Sequence, residues 1–193
     1  MIRLFVGLAL PEDVRLRLAG LCSGVPGARW EPPDNFHLTL RFIGEVDHHA
    51  AEDIDSELLK VRTPPFQISL ATVDHFGAAD KARVLYVGVE RSELLARLQT
   101  KVENAVQRAG QPPETRKFVP HVTLARLKEA PAQRIQVFHE THNLFRAGPV
   151  GIDAFALYSS HPGKGHAVYH EEAVYPLEGA ERAIGQFGDS GPA

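Results

Sequence analysis

PPDNFHLTLRF, residues 32–42, and PPETRKFVPHVTLAR, residues 112–126, share one plan: a proline pair, a few polar residues, an aromatic, then His-x-Thr-Leu. A β-strand alternates its faces with period two. His37 and Thr39 therefore share one face and Leu38 and Leu40 the other. His121 and Thr123 stand likewise against Val122 and Leu124. Each strand offers an imidazole and a hydroxyl roughly 7 Å apart, with aliphatic residues packed beneath. A unit recurring almost half a chain away predicts two related halves, each presenting one histidine strand to a central groove.

Outward from the two motifs, strands and helices interleave. The expected strands are Ile2–Leu10, Phe36–Ile43 (stopped by Gly44), Phe66–Phe76, Arg83–Val89, Phe118–Leu127, Val150–Ser159 and Ala167–Leu177. Helices are expected after Pro11, over Ala50–Val61, over Ser92–Ala109 and from Pro131 to about Leu144. The third has the strongest apolar stripe, with Leu94, Leu95, Leu98, Val102 and Val106. Recurring hairpins favour an α+β fold with antiparallel sheet over a doubly wound parallel one. The expected organisation is one bilobal domain over residues 1–177, followed by a flexible tail over 178–193.

Composition bounds the function. The chain has 193 residues, 44% hydrophobic and 23% charged, so wholesale disorder is excluded. Twenty-one basic residues against 24 acidic give a net charge of -3, which argues against coating nucleic acid by charge alone. Cys22 is the single cysteine, so neither an internal disulfide nor a cysteine-built zinc site is available. The apolar run MIRLFVGLAL is too short to span a bilayer. A soluble cytoplasmic protein, expected to act as a monomer without membrane contact, is the reading.

Ten histidines are the unusual number. Two imidazoles and two hydroxyls converging on one space suit phosphoryl chemistry at a cyclic diester. One imidazole takes a proton from water, the other protonates the departing oxygen, and neutral donors hold the non-bridging oxygens. Histidine serves both tasks because its ordinary pKa lies near working pH. Arg126 is a candidate charge partner for the phosphate.

The paired motifs HLTLRFIG (His37 to Gly44) and HVTLAR (His121 to Arg126) resemble those of the two-histidine phosphoesterases. Within that superfamily the chain is most similar to the RNA 2′,3′-cyclic phosphodiesterases, also called 2′-5′ RNA ligases. The resemblance implies a bilobal α+β fold with two pseudo-symmetric lobes of antiparallel sheet, helices outside and a central groove. It implies hydrolysis of a 2′,3′-cyclic phosphate at an RNA or nucleotide end to a 2′-phosphomonoester, with no cofactor or metal. His37 then matches the proton donor and His121 the proton acceptor, while Thr39, Thr123 and Arg126 match the phosphate-binding positions. The chain departs at Ser159-Ser160, where many relatives carry Arg-Ser, and at Pro162 and His166. Two alternatives are the same groove run backwards as a 2′-5′ RNA ligase, and an RNA-end binding protein without turnover.

Other features weigh less. His139-Glu-Thr-His142 on a helix could face a metal but lacks an evident third ligand, and reads as a solvated face. His48-His49 reads as an exposed helix start, and His161, His166 and His170 as a wet hairpin. Arg41, Arg83, Arg116 and Lys117 are candidates to steer a phosphate chain, and Phe42 and Phe118 to stack a base.

Overall fold

The computed structural model describes residues 1–178; of the expected tail, residues 179–193 lie outside the described residues. Nine strands and four α-helices follow one another: β1 (Ile2–Ala9), α1 (Glu12–Ala19), β2 (Ala28–Trp30), β3 (His37–Val46), α2 (His48–Leu58), β4 (Phe66–Phe76), β5 (Val84–Val89), α3 (Glu93–Arg108), β6 (His121–Leu127), α4 (Ala132–His142), β7 (Arg146–Ile152), β8 (Ala154–Pro162) and β9 (Ala167–Pro176). All strand pairs are antiparallel, in the order β7-β4-β5-β6-β3-β1-β8-β9, with β2 added beside β6. The α+β expectation holds.

Two four-strand units, β9-β8-β1-β3 and β6-β5-β4-β7, meet where the two histidine strands meet. That junction is thin: β3 and β6 pair only at Leu38 and Val122. Both residues are fully buried, so the single bridge sits on core side chains, and the ladder extends no further on either side.

Local sequence explains the helices. Asp47 caps α2 by accepting the Ala50 N–H at 2.8 Å, and Ser92 caps α3 by accepting that of Leu95 at 3.3 Å. Leu95, Leu98, Val102, Ala105 and Val106 bury the stripe of α3. It packs on α2, β3 and β4. In the unit β6-β5-β4-β7, α4 also packs against β4, and α1 packs against β7.

Three expectations about strands are corrected. Gly44 does not stop β3; the glycine takes φ 96°, which L side chains rarely adopt, and the strand continues to Val46. The expected strand Val150–Ser159 is two strands divided at Asp153, because Val150–Ile152 pairs with β4 while Phe155–Ser159 belongs with β1 and β9. Phe118–Pro120 precede β6 rather than opening it. β2 was not among the expected strands.

Candidate active site

Bulges decide which side chains the two histidine strands present. In β3, Thr39 pairs with Gly7 and Arg41 with Val6, so Leu40 is an extra residue. In β6, Thr123 pairs with Tyr86 and Ala125 with Leu85, so Leu124 is the extra one. A bulge resets the alternation of faces. His37, Thr39 and then Phe42 therefore face the groove on one strand. On the other, Thr123 and then Arg126 do so. Simple alternation from His121 would have turned Arg126 inward.

The groove has a volume of about 750 Å³, and His37, Thr39, Thr123, Arg126, Glu31 and Tyr169 are among its walls. In both motifs Nδ1 of the histidine lies against the carbonyl two residues earlier: Asn35 O at 2.6 Å for His37, Val119 O at 2.7 Å for His121. A carbonyl only accepts, so Nδ1 carries the hydrogen and Nε2 of the neutral ring is left with its lone pair. For His37 that nitrogen takes a hydrogen bond from the Thr39 hydroxyl at 2.9 Å.

The surroundings of the two rings differ. His37 packs among Phe5 (4.7 Å between centroids), Tyr169 (5.2 Å) and Tyr158 (6.2 Å). Burial pushes its pKa below the ordinary imidazole value. The Asn35 carbonyl and the Glu31 carboxylate oppose that fall, and charge on His121 adds to it. His121 meets Phe76 edge-on at 4.8 Å and Tyr86 at 5.1 Å. Burial lowers its pKa too, against the Val119 carbonyl. Burial and Glu171 push the Tyr158 hydroxyl up to about 12, so it stays protonated at working pH.

Glu31 is a wall residue the sequence reading missed. Its carboxylate accepts from Asn35 Nδ2 at 3.2 Å and lies 3.7 Å from Arg126 Nε, while its backbone N–H donates to Leu124 O. The signal was its place beside the first proline pair, mirroring Glu114 beside the second. Asn35 also donates to Ala167 O at 2.8 Å, fixing the start of β9 at the rim.

Arg41 does not steer phosphate. It is 7% exposed, pairs with Glu103 at 2.6 Å, approaches Glu114 at 3.7 Å and donates to Phe42 O and Pro112 O. The Leu40 bulge turned it inward. Phe42 stays at the groove with the Arg3 guanidinium 5.0 Å from its ring centroid, whereas Phe118 packs against the core. Arg116 is engaged with Glu114, whose carboxyl it holds at about 2. His48 and His49 are exposed, as expected. His161 lies near His170, the centroids 4.8 Å apart, donates from Nε2 to Ser159 Oγ at 2.8 Å, since that hydroxyl gives its hydrogen to Glu172, and reaches the groove rim. The solvated-face reading fails for His139, which turns toward His75, the ring centroids 5.1 Å apart; burial lowers its pKa.

No helix among the described residues is long and apolar enough to cross a membrane. The family model of the 2′-5′ RNA ligase superfamily matches residues 15–164. The RNA 2′,3′-cyclic phosphodiesterase of Aeropyrum pernix is 42% identical over 117 residues, covering 60% of this chain and 66% of that one. That of Thermotoga maritima is 30% identical over 164 residues, covering 82% and 86%. Among solved structures, Escherichia coli LigT complexed with 3′-AMP superposes with a TM-score of 0.74 at 25% identity, covering 92% of this chain and 98% of that one. TT0787 of Thermus thermophilus gives 0.74 at 28%, covering 93% and 100%. With the family match spanning most of the chain, and with two bulged His-x-Thr strands meeting at one groove, this protein belongs to the 2′-5′ RNA ligase superfamily.

Proposed function

We propose that the chain is an RNA 2′,3′-cyclic phosphodiesterase, opening a 2′,3′-cyclic phosphate at an RNA or nucleotide end to leave a 2′-phosphomonoester. The observation that carries this reading is the matched pair of imidazoles, each pinned at Nδ1 by a carbonyl two residues back, on strands that join at one bridge. Pinning leaves each Nε2 as the working nitrogen. Relatives named RNA 2′,3′-cyclic phosphodiesterase support the substrate class.

In the proposed reaction His121 takes a proton from water as it attacks phosphorus, and His37 gives one to the departing 3′-oxygen. In-line displacement places nucleophile and leaving group on opposite sides of phosphorus, which one imidazole from each half satisfies. One environmental difference supports this division. Burial is the largest cause at both rings and lowers both pKa values, but at His37 the Glu31 carboxylate opposes that fall, and no carboxylate does so at His121. Thr39 releases His37 Nε2 and, with Thr123 and Arg126, holds the non-bridging oxygens. Phe42 offers a base an aromatic face at the rim.

The test is incubation with an oligonucleotide ending in a 2′,3′-cyclic phosphate and identification of the product. A 2′-phosphate supports the proposal. A 3′-phosphate would reverse the substrate's orientation, and joining to a 5′-hydroxyl end without hydrolysis would make the groove a ligase.

A further inference from the structure

Behind the groove, Asp74 and His75 at the end of β4 face His139 in the last turn of α4. One nitrogen from each histidine and one Asp74 oxygen lie within 4.8 Å of one another. Among the described residues it is the one group of three such side chains gathered this closely. Both His75 Nδ1 and His139 Nε2 are buried without a hydrogen-bond partner. Buried polar nitrogens are seldom left so, and in the neutral ring a nitrogen free of its hydrogen offers a lone pair to a metal ion. Asp74 Oδ1 stands 3.5 Å from His75 Nδ1, beyond hydrogen-bond length but inside the span of two ligands on one ion.

We propose that Asp74, His75 and His139 bind a divalent transition-metal ion, zinc being the best chemical fit, that staples α4 to β4 outside the reaction groove. Two imidazoles and a carboxylate are an ordinary zinc donor set, with bonds of about 2.0–2.2 Å and a fourth position for water. Tetrahedral geometry at that bond length separates ligand atoms by roughly 3.3 Å, so side-chain rotations close the set without moving the backbone. His142 takes no part; its ring packs against Phe138 at 4.7 Å. The ion would be structural, because the proton transfers belong to His37 and His121. Its influence nevertheless reaches the groove. Tyr86, whose hydroxyl lies beside Asp74, and Phe76, next to His75, both pack on the His121 ring.

The test uses the full chain, dialysed against EDTA and titrated with Zn²⁺ by calorimetry and with Co²⁺ by visible absorption. One equivalent should bind, and saturating zinc should raise the melting temperature by roughly 5–10 °C. His139→Ala should weaken binding roughly 100-fold or more and remove the thermal shift, while His37→Ala should leave both intact. Imidazole nitrogen resonances of the unsubstituted chain provide a readout that needs no variant: zinc should move those of His75 and His139. Absence of saturable binding, binding unaffected by His139→Ala, or zinc shifts confined to His37 and His121 would each overturn the proposal.

Discussion

β3 and β6 match residue for residue in burial over seven positions, from His37 to Ile43 and from His121 to Leu127, and each bulges at the leucine of its motif. They differ in the two residues just past the bulge. At the inward position stands Arg41 in one half and Ala125 in the other; at the groove position stands Phe42 in one and Arg126 in the other. The backbone device is shared, whereas its side chains have been divided between fold and site. In the first half the arginine clasps Glu103 and the loop of the second proline pair. In the second it faces the groove beside Glu31, which precedes the first pair. Each half thus holds the other's proline loop, and only one of those two clasps remains open to a ligand.

Substituting the two histidines probes what the halves share. His37→Ala and His121→Ala should each cut turnover by about 10²–10⁴-fold while circular dichroism stays native. A substrate whose leaving group needs no proton should rescue His37→Ala far more than His121→Ala. The opposite pattern would exchange acid and base between the halves.

Stability separates the two arginines. Arg41→Ala leaves the buried Oε2 of Glu103 without its charge partner and should cost about 3 kcal/mol in denaturant unfolding. Arg126→Ala removes a half-exposed side chain and should change stability by about 0.5 kcal/mol or less. Equal losses would show that the two positions are not divided between fold and site.

Kinetics sharpens the same division. Loss of a charged hydrogen bond in Arg126→Ala should lower kcat/KM by about 1.5–3 kcal/mol. Phe42→Ala should raise KM by the equivalent of about 1–3 kcal/mol on oligonucleotides and leave kcat nearly unchanged. A kcat defect in Phe42→Ala would place that ring nearer the reacting atoms than a rim position allows.

The smallest effect concerns pH. Both imidazoles titrate in the folded chain below their ordinary value of 6.5. Such groups contribute stability that is complete above pH 6.5 and is lost as pH falls through the lowered pKa values. For catalysis one ring must be protonated and the other neutral. The bell of kcat/KM should therefore centre below about pH 6.5, its limbs belonging to the pair rather than to either residue. Bound phosphate favours the protonated acid, so the profile of kcat should lie at higher pH. A free-enzyme optimum well above about 7 would contradict the burial of both rings.

The double motif made the faces of the two histidine strands legible because period-two alternation and repetition need no tertiary information. His37, Thr39, His121 and Thr123 all sit where that reading puts them relative to their buried neighbours. Bulges were not legible. Nothing local distinguishes Leu40 from an ordinary strand leucine, so Arg41 was placed on the wrong side. Gly44 was read as a stop although its positive φ lets the strand run on. β7 and β8 merged because strand identity at Asp153 depends on which partner lies alongside. The approach of His75 to His139 joins a strand end to a helix's last turn far along the chain, and no spacing rule links the two.

The cradle of His37 is drawn from both ends of the described chain: Phe5 from β1, Tyr158 from β8 and Tyr169 from β9, with β1 hydrogen-bonded to β8. During synthesis at about 5–20 residues per second, the first histidine motif is made roughly 7–26 s before Tyr169. Through that interval β1, whose Leu4, Val6 and Leu8 are completely buried in the finished protein, lacks one of its two neighbours. A nascent chain with an apolar strand edge exposed for that long should engage holdase chaperones, and that engagement should ease when β8 and β9 are moved ahead of β1 by circular permutation.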